Sequence, residues 1–182
     1  MKRIVVGVTG ASGMLYAKRL IEALTKTDGT EMYLIISDTA RAVACLEEVA
    51  LSGYPVHYEE NCNLSAGIAS GSFLFDAMVV IPCSMKSLAA IANGYSTTLI
   101  ARAADVCLKE RRKLILVPRE TPYSRVHLIN MLAAHDAGAV IMPASPSFYT
   151  HPQTLDDLAD QVAARVLDHC KIPHIIGARW KE

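Results

Sequence analysis

The chain has 182 residues, of which 52% are apolar, and its 18 Lys and Arg residues balance 18 Asp and Glu residues. A chain without net charge lacks the broad positive field that attracts nucleic acid, and this length suits one domain with a full core. Because no apolar stretch approaches the roughly 20 residues of a membrane span, we expect neither a membrane segment nor a nucleic-acid partner.

The five cysteines form no C-x-x-C pair, and several of them lie in apolar runs. An odd number of scattered cysteines argues against a disulfide framework and suits small buried side chains in a reducing compartment. The chain enters an apolar run directly after Lys2 and Arg3, without a signal-type segment. We therefore expect a cytoplasmic protein whose residues 1–182 form a single domain.

Short apolar runs rich in Val and Ile recur along the chain, as is typical of strands buried on both faces. Helical patterns fill the intervals. We predict strands at 3–8, 32–37, 77–83, 113–118 and, more weakly, 139–144, and helices at 14–26, 38–50, 85–92, 99–112 and 123–136. This alternation predicts an α/β fold in which helices cover both faces of a parallel sheet.

Small hydroxyl groups and single cations follow the predicted strands. Ligands of parallel sheets gather beyond the carboxyl ends of the strands, and these residue types suit a phosphate. A serine in such a place also caps the following helix, so both interpretations stay open. The residues at successive strand ends are Gly10, Ala11, Ser12 and Gly13; Ser37; Ser84, Lys86 and Ser87; Arg119 and Glu120; and Ser145, Ser147 and Tyr149.

The first of these segments is a glycine-rich turn that offers backbone N–H groups to an anion. It is not a P-loop, because Met14 stands where the motif needs a lysine. Many short-chain dehydrogenases also begin with TGASG, and Asp38 is placed to bind a ribose hydroxyl, but the chain contains no Y-x-x-x-K pair. A hydrolase elbow is disfavoured too, because GASGM lacks the closing glycine of G-x-S-x-G.

Two further patterns have simple structural interpretations. Asp156, Asp157 and Asp160 spell the D-D-x-x-D of magnesium-binding prenyl synthases, yet Thr154 with Asp157 predicts a capping box at the start of a helix. In helix 99–112, Asp105 lies between Arg102 and Lys109 on one face, as in a surface ladder of ion pairs. Because the six histidines lack the spacing of a zinc site, we predict no metal.

Six segments, in this order and across nearly the whole chain, resemble the UbiX-type flavin prenyltransferases, a branch of the Cys-decarboxylase-like flavoproteins. They are TGASG (9–13), PCSMKSL (82–88), RAADVCLKERR (102–112), VPRETP (117–122), GAVIMPASPSFY (138–149) and RW (179–180). The resemblance implies a Rossmann-like three-layer sandwich with a mostly parallel sheet, which forms a homo-oligomer, commonly a dodecamer, and binds FMN at the subunit boundary. It also implies metal-independent transfer of a dimethylallyl group from dimethylallyl phosphate to N5 and C6 of reduced FMN. The prenylated FMN then serves a UbiD-type decarboxylase.

The resemblance carries residue assignments as well. The implied FMN contacts are Gly10, Ala11, Ser12, Ser37, Ser84, Met85, Lys86, Ser87 and Arg119. The implied contacts to dimethylallyl phosphate are Tyr149, Arg165, Lys109 and Arg102, and Trp180 is a candidate for an aromatic wall. The expected catalytic residues are Glu47, Glu120, Lys109 and Ser12. Residues 94–99 (GYSTTL) depart from many relatives, which carry Asp-Asn before the leucine.

Two alternatives share this type of fold. An FMN-dependent peptidyl-cysteine decarboxylase needs a catalytic histidine in the helix after the first turn, and GMLYAKRLIEAL contains none. A non-catalytic FMN-binding partner of a decarboxylase would leave Lys109, Arg119, Glu120 and Arg165 without a substrate.

Overall fold

The computed structural model describes residues 1–177 and 179. Its strands are β1 (Lys2–Val8), β2 (Thr30–Ile36), β3 (His57–Glu59), β4 (Ala77–Cys83), β5 (Lys113–Pro118) and β6 (Val140–Ile141). They form one sheet in the order β3-β2-β1-β4-β5-β6, and each neighbouring pair is parallel. The predicted parallel sheet is confirmed.

Helices cover both faces of this sheet. They are α1 (Met14–Thr25), α2 (Asp38–Leu46), α3 (Met85–Ala92), α4 (Leu99–Lys109), α5 (Arg125–Asp136) and α6 (Leu155–Cys170). Helices α1, α2 and α6 share one buried cluster with the sheet, and α3, α4 and α5 share the other. This is the expected three-layer sandwich. None of the helices in the described part of the chain is both long and apolar enough to cross a bilayer.

Strand β1 shows why the apolar runs do not alternate with polar residues. Ile4, Val6 and Val8 pack into the cluster on the α1 side, and Val5 packs into the cluster on the α4 side. Because successive side chains of a strand point to opposite faces, a strand covered on both faces needs apolar residues at every position.

Side-chain hydroxyls begin most of the helices. Each accepts a hydrogen bond from a backbone N–H of the first turn and so satisfies one of the unpaired donors there. The capping residues are Ser37 for α2, Ser84 for α3, Thr98 for α4, Ser124 for α5 and Thr154 for α6. The capping box predicted for Thr154 and Asp157 is confirmed.

Some predicted boundaries are too long. Helix α2 ends at Leu46 instead of residue 50, and α4 ends at Lys109 instead of residue 112. Shortly after each end a residue has positive φ, 55° at Glu48 and 56° at Arg111, and this left-handed conformation stops a helix. The weak strand predicted at 139–144 contains only Val140–Ile141, and β3 is an additional edge strand of three residues.

Candidate functional site

A cavity of about 420 Å³ lies beyond the carboxyl ends of the strands; we call it the strand-end cavity. The chain adds β2 and β3 on one side of β1 and then β4, β5 and β6 on the other side, so the strand order switches between β1 and β4. Doubly wound folds bind their ligands at this switch point. The wall includes residues that follow β1, β2 and β4. Four predicted FMN contacts line it: Ser37, Ser84, Lys86 and Ser87.

The hydroxyls of this cavity are fixed by the start of two helices. Ser37 Oγ accepts a bond of 3.1 Å from the N–H of Ala40 in α2, and Ser84 Oγ accepts one of 3.3 Å from the N–H of Ser87 in α3. The two interpretations of these serines are therefore compatible, because each side chain caps a helix and also lines the cavity.

Thr9 ties the ends of β1 and β4 together beneath the cavity. Its side chain is 2% exposed. The Thr9 hydroxyl donates to the carbonyl oxygen of Pro82 at 2.8 Å and accepts from the N–H of Ser84 at 2.7 Å. These two bonds fix the backbone of Ser84 relative to the ends of β1 and β4.

The anion on the glycine turn is a carboxylate of the chain itself. Gly13 precedes α1 as its N-cap residue with a φ of 108°, and it has no side chain to cap the helix. Glu47 Oε1 accepts from the N–H of Gly13 at 2.8 Å, and Oε2 accepts from the N–H of Met14 at 2.7 Å. The glycine pattern predicts an anion at this turn, but no local pattern in the sequence identifies that anion as Glu47.

The remaining predicted FMN contacts lie around this turn or beneath it. A Cβ added to Gly10 would come within 2.6 Å of Cβ of Thr39, a residue that lines the strand-end cavity. Ala11 and Ser12 continue the turn, and Ser12 is exposed, whereas Met85 is buried at the start of α3.

Arg119 follows β5, and its backbone N–H donates to the carbonyl oxygen of Cys83 at 3.3 Å. Burial raises the pKa of Tyr16 in the first turn of α1, and the nearby charge of Arg119 partly opposes that rise. Arg119 therefore lies near Tyr16, in the helix that follows the glycine turn.

The segment that departs from the family pattern forms part of the cavity wall. Tyr95, Thr97 and Thr98 line the strand-end cavity together with Asn61, whose Oδ1 accepts from the N–H of Ile100 at 3.1 Å. These four residues are not among the predicted site residues. Asn61 carried no usable signal, because its role depends on a contact 39 residues away along the chain.

Tyr149 and Arg165 line a second cavity, of about 450 Å³, between α6, the loop before it and the segment that follows it. We call it the tail cavity. Its wall also contains Gln161, Asp168, His174 and Arg179. On α6, Gln161, Arg165 and Asp168 are spaced four and three residues apart, which places them on one face of the helix. This spacing is the sequence signal that would have identified Gln161 and Asp168.

Asp168 joins Arg165 to the end of the chain. Its carboxylate accepts a hydrogen bond of 2.9 Å from Nη1 of Arg165 and one of 2.8 Å from Nη2 of Arg179. It also lies 3.1 Å from Nε2 of His174. Partial burial raises the pKa of Asp168, but hydrogen bonds from Arg179 and His174 outweigh burial and hold this pKa below its ordinary value.

Other predicted site residues are not brought to either cavity. Arg102 donates to the carbonyl oxygen of Ala69 at 3.0 Å and to Asp105 at 2.7 Å, and Lys109 forms an ion pair with Glu110. Among the described residues that line the two cavities, neither Arg102 nor Lys109 is present, nor is Glu120. Trp180 lies outside the described residues.

Comparisons with known proteins identify the family of the chain. A family model described as Flavoprotein matches residues 1–167. Flavin prenyltransferase UbiX of Methanocaldococcus jannaschii is 47% identical over 183 residues, which is 98% of this chain and 98% of that protein.

Two solved structures extend the likeness to the fold. The crystal structure of a dodecameric FMN-dependent UbiX-like decarboxylase from Escherichia coli O157:H7 matches with a TM-score of 0.94 and 43% identity, covering 99% of this chain and 100% of that one. AnUbiX in complex with FMN and dimethylallyl pyrophosphate matches with a TM-score of 0.90 and 40% identity, covering 100% of this chain and 98% of that one. The resemblance seen in the sequence motifs is thereby confirmed. The chain belongs to the flavoprotein family and, within it, to the UbiX-type flavin prenyltransferases.

Proposed function

We propose that the protein is a flavin prenyltransferase that joins a dimethylallyl group from dimethylallyl phosphate, with either one or two phosphate groups, to N5 and C6 of reduced FMN. The observation that carries the proposal is the strand-end cavity at the switch point of the sheet, with its hydroxyl groups and Lys86. Membership of the UbiX-type family supports the same activity, since AnUbiX was solved with both FMN and dimethylallyl pyrophosphate.

The residues of the strand-end cavity fit a flavin nucleotide. The starts of α2 and α3 supply capped N-terminal turns with Ser37 and Ser84, and Lys86 adds a positive charge beside them. Helix starts and cations stabilise phosphate groups. We propose that Gly10, Ala11, Ser12, Met85, Ser87 and Arg119 complete the binding site. Reduced FMN, when bound, supplies the nucleophilic ring atoms.

The proposed role of the cations is to stabilise the negative charge of the departing phosphate. Breaking the allylic C–O bond leaves negative charge on the departing phosphate, and preorganised cations stabilise such charge most strongly where water is excluded. We propose that Arg165 and Tyr149 hold the phosphate end of the substrate and that Arg119 acts with them. Glu120 is proposed to donate a proton to the leaving phosphate, and Glu47, beside Ser12, to handle the proton at the flavin nitrogen.

Arg102 and Lys109 are predicted site cations for which a single chain offers no place in the described walls of either cavity. The Escherichia coli relative is dodecameric. We propose that this chain forms a homo-oligomer of the same kind, in which Arg102, Lys109 and Trp180 reach a site shared between copies.

The setting of the enzyme follows from the same proposal. All five cysteines are free thiols, and Cys45 and Cys62 are exposed, as suits a reducing cytoplasm. We propose that residues 1–182 act there as one domain. The prenylated FMN is proposed to pass to a UbiD-type decarboxylase.

The test is anaerobic incubation of the protein with reduced FMN and dimethylallyl monophosphate or diphosphate in turn, followed by mass spectrometry of the released flavin. We expect a flavin heavier by one prenyl group. Arg165→Ala should lower kcat/KM by about a hundredfold, the effect of losing one charge-assisted contact to the reacting phosphate. Lys113→Ala, which removes an exposed cation at the amino end of β5, is the matched control. Unchanged FMN from a folded sample would refute the proposal.

A further inference from the structure

Gln161 is a buried amide in the wall of the tail cavity. It is 9% exposed, and the other buried polar residues of the described chain, Thr9 and Ser37, belong to the strand-end cavity. A buried amide costs free energy unless its hydrogen bonds are made.

Those hydrogen bonds all go to the loop before α6. Gln161 Oε1 accepts from the N–H of Ser147 at 2.8 Å and from Ser147 Oγ at 2.7 Å. Gln161 Nε2 donates to Thr150 Oγ1 at 2.8 Å. One side chain is thus hydrogen-bonded to the loop before and after Tyr149, at Ser147 and at Thr150.

Tyr149 itself is 53% exposed and lines the tail cavity. A loop that is ordered before the ligand arrives spares binding the entropy of ordering it. Arg165 lies one helical turn after Gln161, so the amide that fixes the loop and the proposed phosphate contact belong to the same rigid helix.

We infer that Gln161 is a positioning residue for the isoprenoid phosphate: it holds the loop 147–150 so that Tyr149 faces Arg165 across the tail cavity. The inference rests on the proposed function, because it assumes that dimethylallyl monophosphate binds in this cavity. Gln161 acts through the loop and takes no part in the bond-breaking step.

Gln161→Met keeps the length of the side chain and removes all three hydrogen bonds. We expect KM for dimethylallyl monophosphate to rise about tenfold, because the loop must now be ordered on binding, while kcat changes less than about threefold. The dissociation constant of FMN should stay unchanged, because Gln161 does not line the strand-end cavity. Hydrogen–deuterium exchange of the Ser147 amide should become faster even without either substrate.

Ser147→Ala removes one of these bonds and leaves the backbone bond in place, so we expect a smaller rise in KM. If Gln161→Met fails to fold, this variant carries the test. Gln153→Met removes a bond of 2.7 Å to the carbonyl oxygen of His151, which lies outside the loop 147–150, and should leave KM unchanged.

Normal turnover with unchanged KM in both loop variants would overturn this inference alone. A Gln161→Met protein in which kcat, FMN affinity and KM all deteriorate together would also overturn it, since that pattern indicates general damage to the fold. A wild-type protein that forms no prenylated flavin would overturn the proposed function and this inference with it.

Discussion

At the scale of single residues, side chains in this protein often serve the fold and the site together. Ser37 and Ser84 cap helices while they line the strand-end cavity. The sequence indicates hydroxyls at strand ends, because a strand and the following cap are local features. It does not indicate that Glu47 reaches the amide of Gly13, because these residues are 34 positions apart and a helix intervenes.

Two of the cysteines are exposed and three are buried, and this difference predicts how fast each thiol reacts. Burial raises the pKa of Cys83 and of Cys107 to about 12 and that of Cys170 to about 11. At pH 8 a thiol with a pKa near 12 is ionised in only about one molecule in ten thousand, and the thiolate is the reactive form.

We therefore expect a disulfide reagent such as Ellman's reagent to label Cys45 and Cys62 quickly in the native protein and the other three only after unfolding in urea. Cys45→Ser should reduce the fast phase by one thiol. Rapid native labelling of Cys83 or Cys107, identified by peptide mass spectrometry, would contradict this assignment.

At the scale of elements, long apolar strands and capped helices were predictable, and short or polar elements were not. Strand β4 matches its prediction at residues 77–83, since seven consecutive buried positions leave a clear pattern. Strand β3 spans three residues at the edge of the sheet, and His57 and Tyr58 are exposed. Its pairing with β2 depends on tertiary contacts that no local pattern records.

The start of α6 offers a test of one predicted element. Thr154 Oγ1 accepts from the N–H of Asp157 at 3.1 Å, and Asp157 accepts from the N–H groups of Gln153 and Thr154, each at 2.9 Å. These backbone bonds lower the pKa of Asp157. The neighbouring acid Asp160 binds Arg19 of α1 at 2.6 Å. The acidic motif therefore anchors α6.

Thr154→Ala should lower the free energy of unfolding by about 1 kcal/mol, the usual cost of removing a hydroxyl cap. The measurement is urea denaturation at a single protein concentration, because assembly makes stability depend on concentration. Thr121→Ala, at an exposed threonine outside any helix, should change stability by less than about 0.5 kcal/mol. Equal stabilities of the two variants would argue against the capping role.

At the scale of the whole molecule, the described chain presents apolar surface that one copy does not cover. On α5, Val126 is 63% exposed, Leu128 53%, Ile129 45% and Leu132 60%. An apolar patch of this kind marks an interaction surface. Given the proposed homo-oligomer, we expect α5 to be buried between copies.

Leu132→Lys places a charge in this surface and should shift the protein to smaller assemblies, because a charge buried in an apolar interface is unfavourable. Ser52→Lys adds the same charge at an exposed position outside α5 and should leave the assembly unchanged. Size-exclusion chromatography with light scattering measures both. An unaltered mass for Leu132→Lys would exclude α5 from the interface.

The carboxylate of Glu47 on the glycine turn limits how a ligand can lie in the neighbouring strand-end cavity. The amides of Gly13 and Met14 already donate to the carboxylate oxygens of Glu47, so they are not free to bind a second anion. If a flavin nucleotide binds in the strand-end cavity, we therefore expect its phosphate to lie toward Lys86, which lines that cavity, and away from Glu47. The chain's own carboxylate would then help to set the direction in which the ligand binds.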